Sequence, residues 1–346
     1  MGPTGAPVGR KPVNAPSWAA PALGAVLDRV KVTAAGTGDR FPLFADPGSG
    51  RWTTTRRGSW TGGFWAGLLW LRARYTGDPM DRRVAIACTD RLAGWERADT
   101  AARGLIFWYG TMPAAGEPRI AVMRERAALA CLDAYDDELG LVPWGSAFGG
   151  LRPQARADGV PGLVPLLAMV DEQAAASHLR RHLELCLGLR PFRWSWRHDR
   201  EENWTACTDP PSGWSRGRAW LLLGVAEGSH LLSAIELADA AGALAPVALV
   251  PPADEAFPSG PCDTSAAAIT ASALFGLGHQ ERAVAVLEEL VRSHVTDDGR
   301  LLDGCYDLGS GVAPRHELIW GNFFLAYALA ALTGLVEVHA PREAFE

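Results

Sequence analysis

Carboxylates placed among tryptophans are what this chain offers for chemistry. The loops leading into its most apolar segments hold Trp60, Asp99, Asp158, Asp209, Trp214, Asp263 and Trp320. A carboxyl group beside an aromatic surface can give or take a proton, and carboxylates in an aromatic mouth are a glycosidase-like arrangement. Other chemistries lack their signatures: there is no P-loop, no GxGxxG after a strand and no HExxH. His178 and His182, at i and i+4, have the one histidine spacing a metal could use. They fall on an amphipathic segment and are expected on its solvated face. Cys88, Cys131, Cys186, Cys207, Cys262 and Cys305 are far apart and form no CxxC pair. They read as the reduced thiols of a cytoplasmic protein, and neither a metal nor a cofactor is expected.

The elements that must hold these groups are helices. Strand-like alternation is weak, while helical patterns come in two kinds. One is amphipathic, over 18–33, 81–97, 120–135, 172–187, 233–244 and 279–294. The other is apolar almost all round and starts at a small residue: Gly62, Gly104, Gly162, Gly217, Ser265 and Gly321. A helix apolar on every side is buried, whereas a one-sided helix faces solvent. Six of each in alternation predict an all-α fold, an (α/α)6 barrel with an inner and an outer ring. An open helical solenoid is the alternative. The boundaries expected are a flexible N-terminal segment over 1–15 and a single barrel domain over 16–346.

Composition narrows the partners. At 346 residues, 48% hydrophobic and 21% charged, the chain can build a large core and is not disordered. A net charge of −6 and the absence of a basic run exclude nucleic acid. The apolar run Phe323–Val336 is shorter than the roughly 20 residues of a bilayer span, so no membrane association is expected. Residues 18–27 contain Pro21, run into Asp28 and Arg29 and lack a cleavage site, so no signal peptide is expected. The 14 Trp are the unusual count. Flat side chains in such excess suit a pocket that stacks on a ring.

Several segments carry a family resemblance. Phe41-Pro42, Trp52, Ser59-Trp60-Thr61-Gly62-Gly63-Phe64-Trp65-Ala66-Gly67 and Tyr75-Thr76-Gly77-Asp78 resemble the entry segment of the unsaturated glucuronyl hydrolases, glycoside hydrolase family 88. Ser212-Gly213-Trp214-Ser215-Arg216-Gly217-Arg218-Ala219-Trp220 is similar to that family's S-x-W-[AS]-R-G-Q-A-W segment. Asp263-Thr264-Ser265-Ala266-Ala267-Ala268-Ile269 is similar to its D-[ST]-S-A-x-A-I segment. Gly304-Cys305-Tyr306 and Leu318-Ile319-Trp320-Gly321-Asn322 are similar to G-C-Y and L-I-W-G-D. The resemblance implies an (α/α)6 fold and hydration of the C4=C5 bond of an unsaturated uronic acid. In that reaction an aspartic acid protonates the enol ether, water adds at the adjacent carbon, and the hemiketal falls apart. It also implies that Asp158, in Ala157-Asp158-Gly159-Val160-Pro161-Gly162-Leu163, stands for the Asp of the family's I-D-N-x-x-N-L and is catalytic. The other reading of Asp158 is a loop carboxylate or helix N-cap.

Departures gather where the ligand would lie. The family's T-H-D-x-G reads here Thr100-Ala101-Ala102-Arg103-Gly104, so Ala101 replaces a His, Ala102 replaces an essential Asp, and Arg103 is new. The family's H-Q-G corresponds to Thr205-Ala206-Cys207, and Cys262 precedes Asp263 where an Arg is usual. Trp60, Trp65, Arg103, Trp108, Trp144, Trp214, Arg216, Trp220 and Trp320 are the candidate substrate-binding residues. Core packing is the alternative role for the tryptophans, and loop-tying through Asp263 or backbone carbonyls that for Arg216. Asp263 itself reads as an N-cap. Three functions fit. The first is an enzyme repurposed for hydration, elimination, isomerisation or cyclisation at a polarised C=C or enol-type centre of a small molecule, in a biosynthetic setting. The second is a genuine unsaturated glucuronyl hydrolase, and the third a noncatalytic ligand-binding barrel. The partner in each is a small or carbohydrate-like molecule, and the protein is read as a monomer or homodimer.

Overall fold

The computed structural model describes residues 15–114, 116–149, 153–199 and 203–337. The segment 1–15, expected to be flexible, lies outside them except for Ala15. Twelve α-helices follow in order among the described residues: α1 (Ala19–Thr37), α2 (Gly62–Thr76), α3 (Pro79–Asp90), α4 (Tyr109–Thr111), α5 (Pro118–Leu132), α6 (Leu163–Ala168), α7 (Glu172–Leu187), α8 (Ser215–Glu227), α9 (Ala234–Leu244), α10 (Thr264–Gly276), α11 (Gln280–Ser293) and α12 (Ile319–Leu332). One π turn, Gly104–Trp108, leads into α4.

Burial alternates along this order. In α12, 13 of the 14 residues are buried. In α11 only Ala283, Val286, Leu287 and Leu290 are, which is the single stripe of a helix with one face in water. The even-numbered helices form the inner ring. Neighbours in this ring pack on one another, α6 reaching α4 through the π turn Gly104–Trp108, and α12 packs back on α2, so the ring is closed and the open solenoid is excluded. The all-α, (α/α)6 architecture is the observed one.

The small residues at the inner-helix starts have a steric cause. The segment before α4 crosses the start of α6 so closely that a Cβ on Gly104 would lie 2.2 Å from the Leu163 nitrogen. Gly162 has φ +70°, and a Cβ there would lie 2.4 Å from the Gly104 oxygen. Only glycine fits both demands.

Six short strands among the described residues escaped the sequence reading because each is only two to five residues long. They are β1 (Phe41–Ala45), β2 (Trp52–Thr55), β3 (Gln154–Arg156), β4 (Ser195–His198), β5 (Trp204–Ala206) and β6 (Glu317–Leu318). They make two antiparallel sheets, ordered β2-β1-β6 and β3-β4-β5. The second sheet pairs Arg156 with Ser195 and so sets the chain just ahead of Asp158. No helix among the described residues is long and apolar enough to cross a membrane.

Candidate active site

Asp158 stands in a single 3-10 turn, Ala157–Gly159, between β3 and α6. The Ala157 N–H donates to the Trp194 carbonyl at 2.9 Å. Trp194 is buried, and its indole N–H donates to the Ser212 carbonyl at 2.9 Å, so one residue, through its backbone carbonyl and its indole, ties the Asp158 turn to the loop ahead of Trp214. From the end of β3, Arg156 grips the carboxylate as a fork, Nε to Oδ1 at 2.9 Å and Nη2 to Oδ2 at 3.2 Å. Its guanidinium lies 4.8 Å over the Trp144 ring. Burial works against the Arg156 cation, but Asp158, with Asp209 and Cys207 beyond, raises its pKa above the ordinary arginine value.

Ala101 closes the other side of this turn. A Cβ on Gly159 would lie 3.3 Å from the Ala101 Cβ and 3.6 Å from the Trp144 ring. The Ala101 N–H donates to the Trp144 carbonyl at 3.0 Å, and both Ala101 and Ala102 are buried. The segment where the resemblance implies a His and an Asp thus abuts the Asp158 turn and brings no polar side chain to it.

A second cluster is an aromatic wall. Trp60 lies 4.9 Å from Trp320 and is stacked at 6.5 Å on Tyr306, and Tyr306 lies 5.5 Å from Trp320. Arg216 is held 5.3 Å from the Trp214 ring and 5.5 Å from the Trp320 ring. Its donors go to the Asp263 carboxylate, the Cys305 carbonyl and, at 2.6 Å, the Tyr306 carbonyl. The guanidinium is therefore committed to tying loops, not turned toward a ligand. Asp263 caps α10, its Oδ1 accepting from the Ser265 and Ala266 N–H groups. The buried Trp320 Nε1 and His316 Nδ1 have no partner among the described residues.

The other expected site residues lie elsewhere. Trp65 is buried in α2, and Trp220 belongs to the aromatic plug of the inner ring, against Phe64 and Phe324. Trp108 faces α5, with Arg124 6.0 Å over its ring. Arg103 does not bring its charge to Asp158. It donates to the Ala98 carbonyl at 3.0 Å and acts on Cys131 of α5, lining an outer groove of about 830 Å³ with Glu96, Asp99 and Arg126. The cation beside Asp158 is Arg156, which local pattern gave no reason to single out.

One further sequence reading needs correction. His178 and His182 are buried, not solvated. His178 Nδ1 accepts from the Val142 N–H at 3.0 Å, and His182 Nδ1 donates to the His178 carbonyl at 2.8 Å. Burial pushes the His178 pKa well down and that of His182 to about 4, so both are neutral and can sit in an apolar interior. Gly213-Trp214-Ser215-Arg216-Gly217 has G-x-S-x-G spacing. Ser215 is buried at the start of α8, its hydroxyl 3.4 Å from the Ala253 carbonyl, and no strand leads into it. It lacks the exposed strand-to-helix elbow of a serine nucleophile.

No family model matches the chain. It is 28% identical over 353 residues to an unsaturated glucuronyl hydrolase from Bacillus sp. strain GL1, covering 85% of this chain and 91% of that protein. The crystal structure of unsaturated glucuronyl hydrolase from Bacillus sp. GL1 superposes with a TM-score of 0.77 at 23% identity, over 91% of this chain and 96% of that one. A mutant unsaturated glucuronyl hydrolase from Streptococcus agalactiae, complexed with dGlcA-GalNAc6S, superposes with a TM-score of 0.71 at 17% identity, over 90% of each chain. Fold and site define the class as hydrolase-type enzymes built on an (α/α)6 barrel. Within that class the chain is similar to unsaturated glucuronyl hydrolases over most of its length.

Proposed function

We propose that this chain is a repurposed relative of the unsaturated glucuronyl hydrolases. It uses Asp158 for acid–base chemistry at a polarised C=C or enol-type centre of a small, carbohydrate-like molecule. One observation carries the reading: the carboxylate's neighbour is a guanidinium, and the adjoining segment is Ala101-Ala102. A protonated Asp158 would have to turn a donor toward the Arg156 fork. The pair therefore favours steps in which Asp158 accepts a proton, as in elimination, isomerisation or cyclisation. Trp144 and the wall of Trp60, Trp214 and Trp320 supply flat surfaces, and the alanines favour a ligand less hydroxylated than a disaccharide. The six free cysteines fit a reducing, cytoplasmic compartment.

A second reading, genuine hydration of the C4=C5 bond of unsaturated uronides, is favoured by the 28% identity to a glucuronyl hydrolase. Incubation of the purified protein with an unsaturated chondroitin disaccharide separates the two. The expected result is little or no loss of the ultraviolet absorbance of the C4=C5 bond, and robust loss establishes the second reading. On whichever unsaturated acid is turned over, Asp158→Asn is expected to lower kcat by about 10²–10⁴-fold with an unchanged melting temperature. Near wild-type turnover would make Asp158 a loop carboxylate.

A further inference from the structure

We infer that Glu227, the last residue of α8, is a positioning residue that holds the Asp158 turn through the backbone of Gly162. The inference rests on the reading of Asp158 as the reacting carboxyl. Glu227 is buried, and among the described residues it has no cationic partner within ion-pair distance. Its oxygens reach two neighbouring inner segments instead. Oε1 accepts from the Tyr109 hydroxyl of α4 at 2.7 Å, and Oε2 accepts from the Gly162 N–H at 2.7 Å. Gly162 is the N-cap of α6, four residues beyond Asp158, and its N–H is a donor that α6 itself cannot satisfy. The end of α8 also runs directly against this stretch, since a Cβ on Gly224 would lie 2.4 Å from the Val160 side chain. A buried carboxyl with no counter-charge is costly, so an apolar residue would serve packing better. What Glu227 adds is an acceptor at the far end of the Asp158 turn.

The anchor responds to pH. Burial lifts the Glu227 pKa to about 7, opposed by the Gly162 N–H and the Tyr109 hydroxyl. The titratable groups facing it are Tyr109 and, from α12, Tyr327, both pushed up first by burial and then by the Glu227 charge. From α7, Leu179 meets this end of the helix against Gly228. An ionised carboxylate is the stronger acceptor, so the hold on Gly162 tightens as pH rises through this range.

The test compares full-length wild type, Glu227→Gln, Tyr109→Phe and Asp158→Asn. Hydrogen exchange of residues 157–164 is read relative to α10 from pH 5 to 9. Glu227→Gln keeps the shape but replaces one acceptor by an NH₂ group. Exchange at 157–164 is expected to rise about 10-fold, with cooperative unfolding retained. Tyr109→Phe removes a donor to the carboxylate, so the pH midpoint of local protection, about 7 in the wild type, moves to higher pH. Tyr109→Phe alone decides the matter if Glu227→Gln does not fold. Unchanged exchange in Glu227→Gln, or an unmoved midpoint in Tyr109→Phe, overturns the proposal. Neither readout needs turnover. Intact turnover by Asp158→Asn of whichever unsaturated acid the wild type accepts would sink the reading of Asp158, while the exchange result still judges Glu227.

Discussion

Arg216–Asp263 and Arg156–Asp158 are the same two side-chain types put to opposite use. In the first pair the side chains are 7% and 1% exposed, and in the second 22% and 16%. Asp263 also takes two N–H groups of α10 and the Ser265 hydroxyl, and Arg216 also holds the carbonyls of Cys305 and Tyr306. Asp158, among the described residues, is hydrogen-bonded by Arg156 alone. A pair saturated from every side is part of the frame and cannot exchange a proton without breaking it. A pair that is partly open, with an aromatic face beside it, keeps spare lone pairs for a ligand. The difference also fits the places where the sequence departs from the family pattern that the resemblance implies. The Arg216 side is interlocked and retains the resembling segments, whereas the Ala101–Ala102 side could change with little cost to the barrel.

The largest effect is expected at the saturated pair. Asp263→Ala leaves Arg216 buried without a counter-charge, at a cost of about 3–5 kcal/mol, and removes the cap of α10, worth about 1 kcal/mol more. Urea unfolding measures it, and a loss below about 1 kcal/mol would place this pair in the same class as Arg156–Asp158.

Acid sharpens the contrast. His178 and His182 have folded pKa values below the unfolded value of about 6.5, so the unfolded chain binds protons first. Their contribution is present above that pH and is lost as pH falls toward about 4, where His182 titrates when folded. His178 backs on Val142 and lies 3.4 Å from the Gly159 carbonyl. At pH 5, hydrogen exchange is therefore expected to quicken in α7 and the Asp158 turn before α10. Simultaneous loosening of both sides would break the distinction.

Smaller effects complete the scale. Ser233→Ala removes one half of the capping box of α9 and is expected to cost about 1 kcal/mol by thermal unfolding, leaving the disaccharide assay unmoved. The least costly substitution is Asp158→Ala, whose partly open ion pair is worth less than about 1 kcal/mol of stability although turnover is lost. Equal destabilisation by Asp158→Ala and Asp263→Ala would erase the comparison.

How much of this could be read from the chain depends on the range over which each feature is encoded. The apolar helices starting at Gly62, Gly162, Ser265 and Gly321 declare themselves locally, because a helix buried all round needs no polar face. Asp158 and the Trp60 and Trp320 segments were legible through resemblance. Arg156 was not, since its role follows from the β3–β4 pairing that aims it back at Asp158. Arg103 looked like a mouth residue by sequence neighbourhood, yet it points to α5 because the Ala98 carbonyl lies that way. The histidines of α7 misled for a related reason. Polar letters on an amphipathic helix suggest water, and nothing local reveals that the Val142 N–H waits across the interface.

Closure of the inner ring has a consequence for biosynthesis. The flanks of α1 and α2 are covered by α12, which is separated from them by more than 240 residues of chain. A growing polypeptide thus carries an uncovered apolar seam until α12 leaves the ribosome, and long-range closure of this kind is slow. Polypeptides interrupted before Ile319 are expected to aggregate or be degraded, with no partly working fragment left behind.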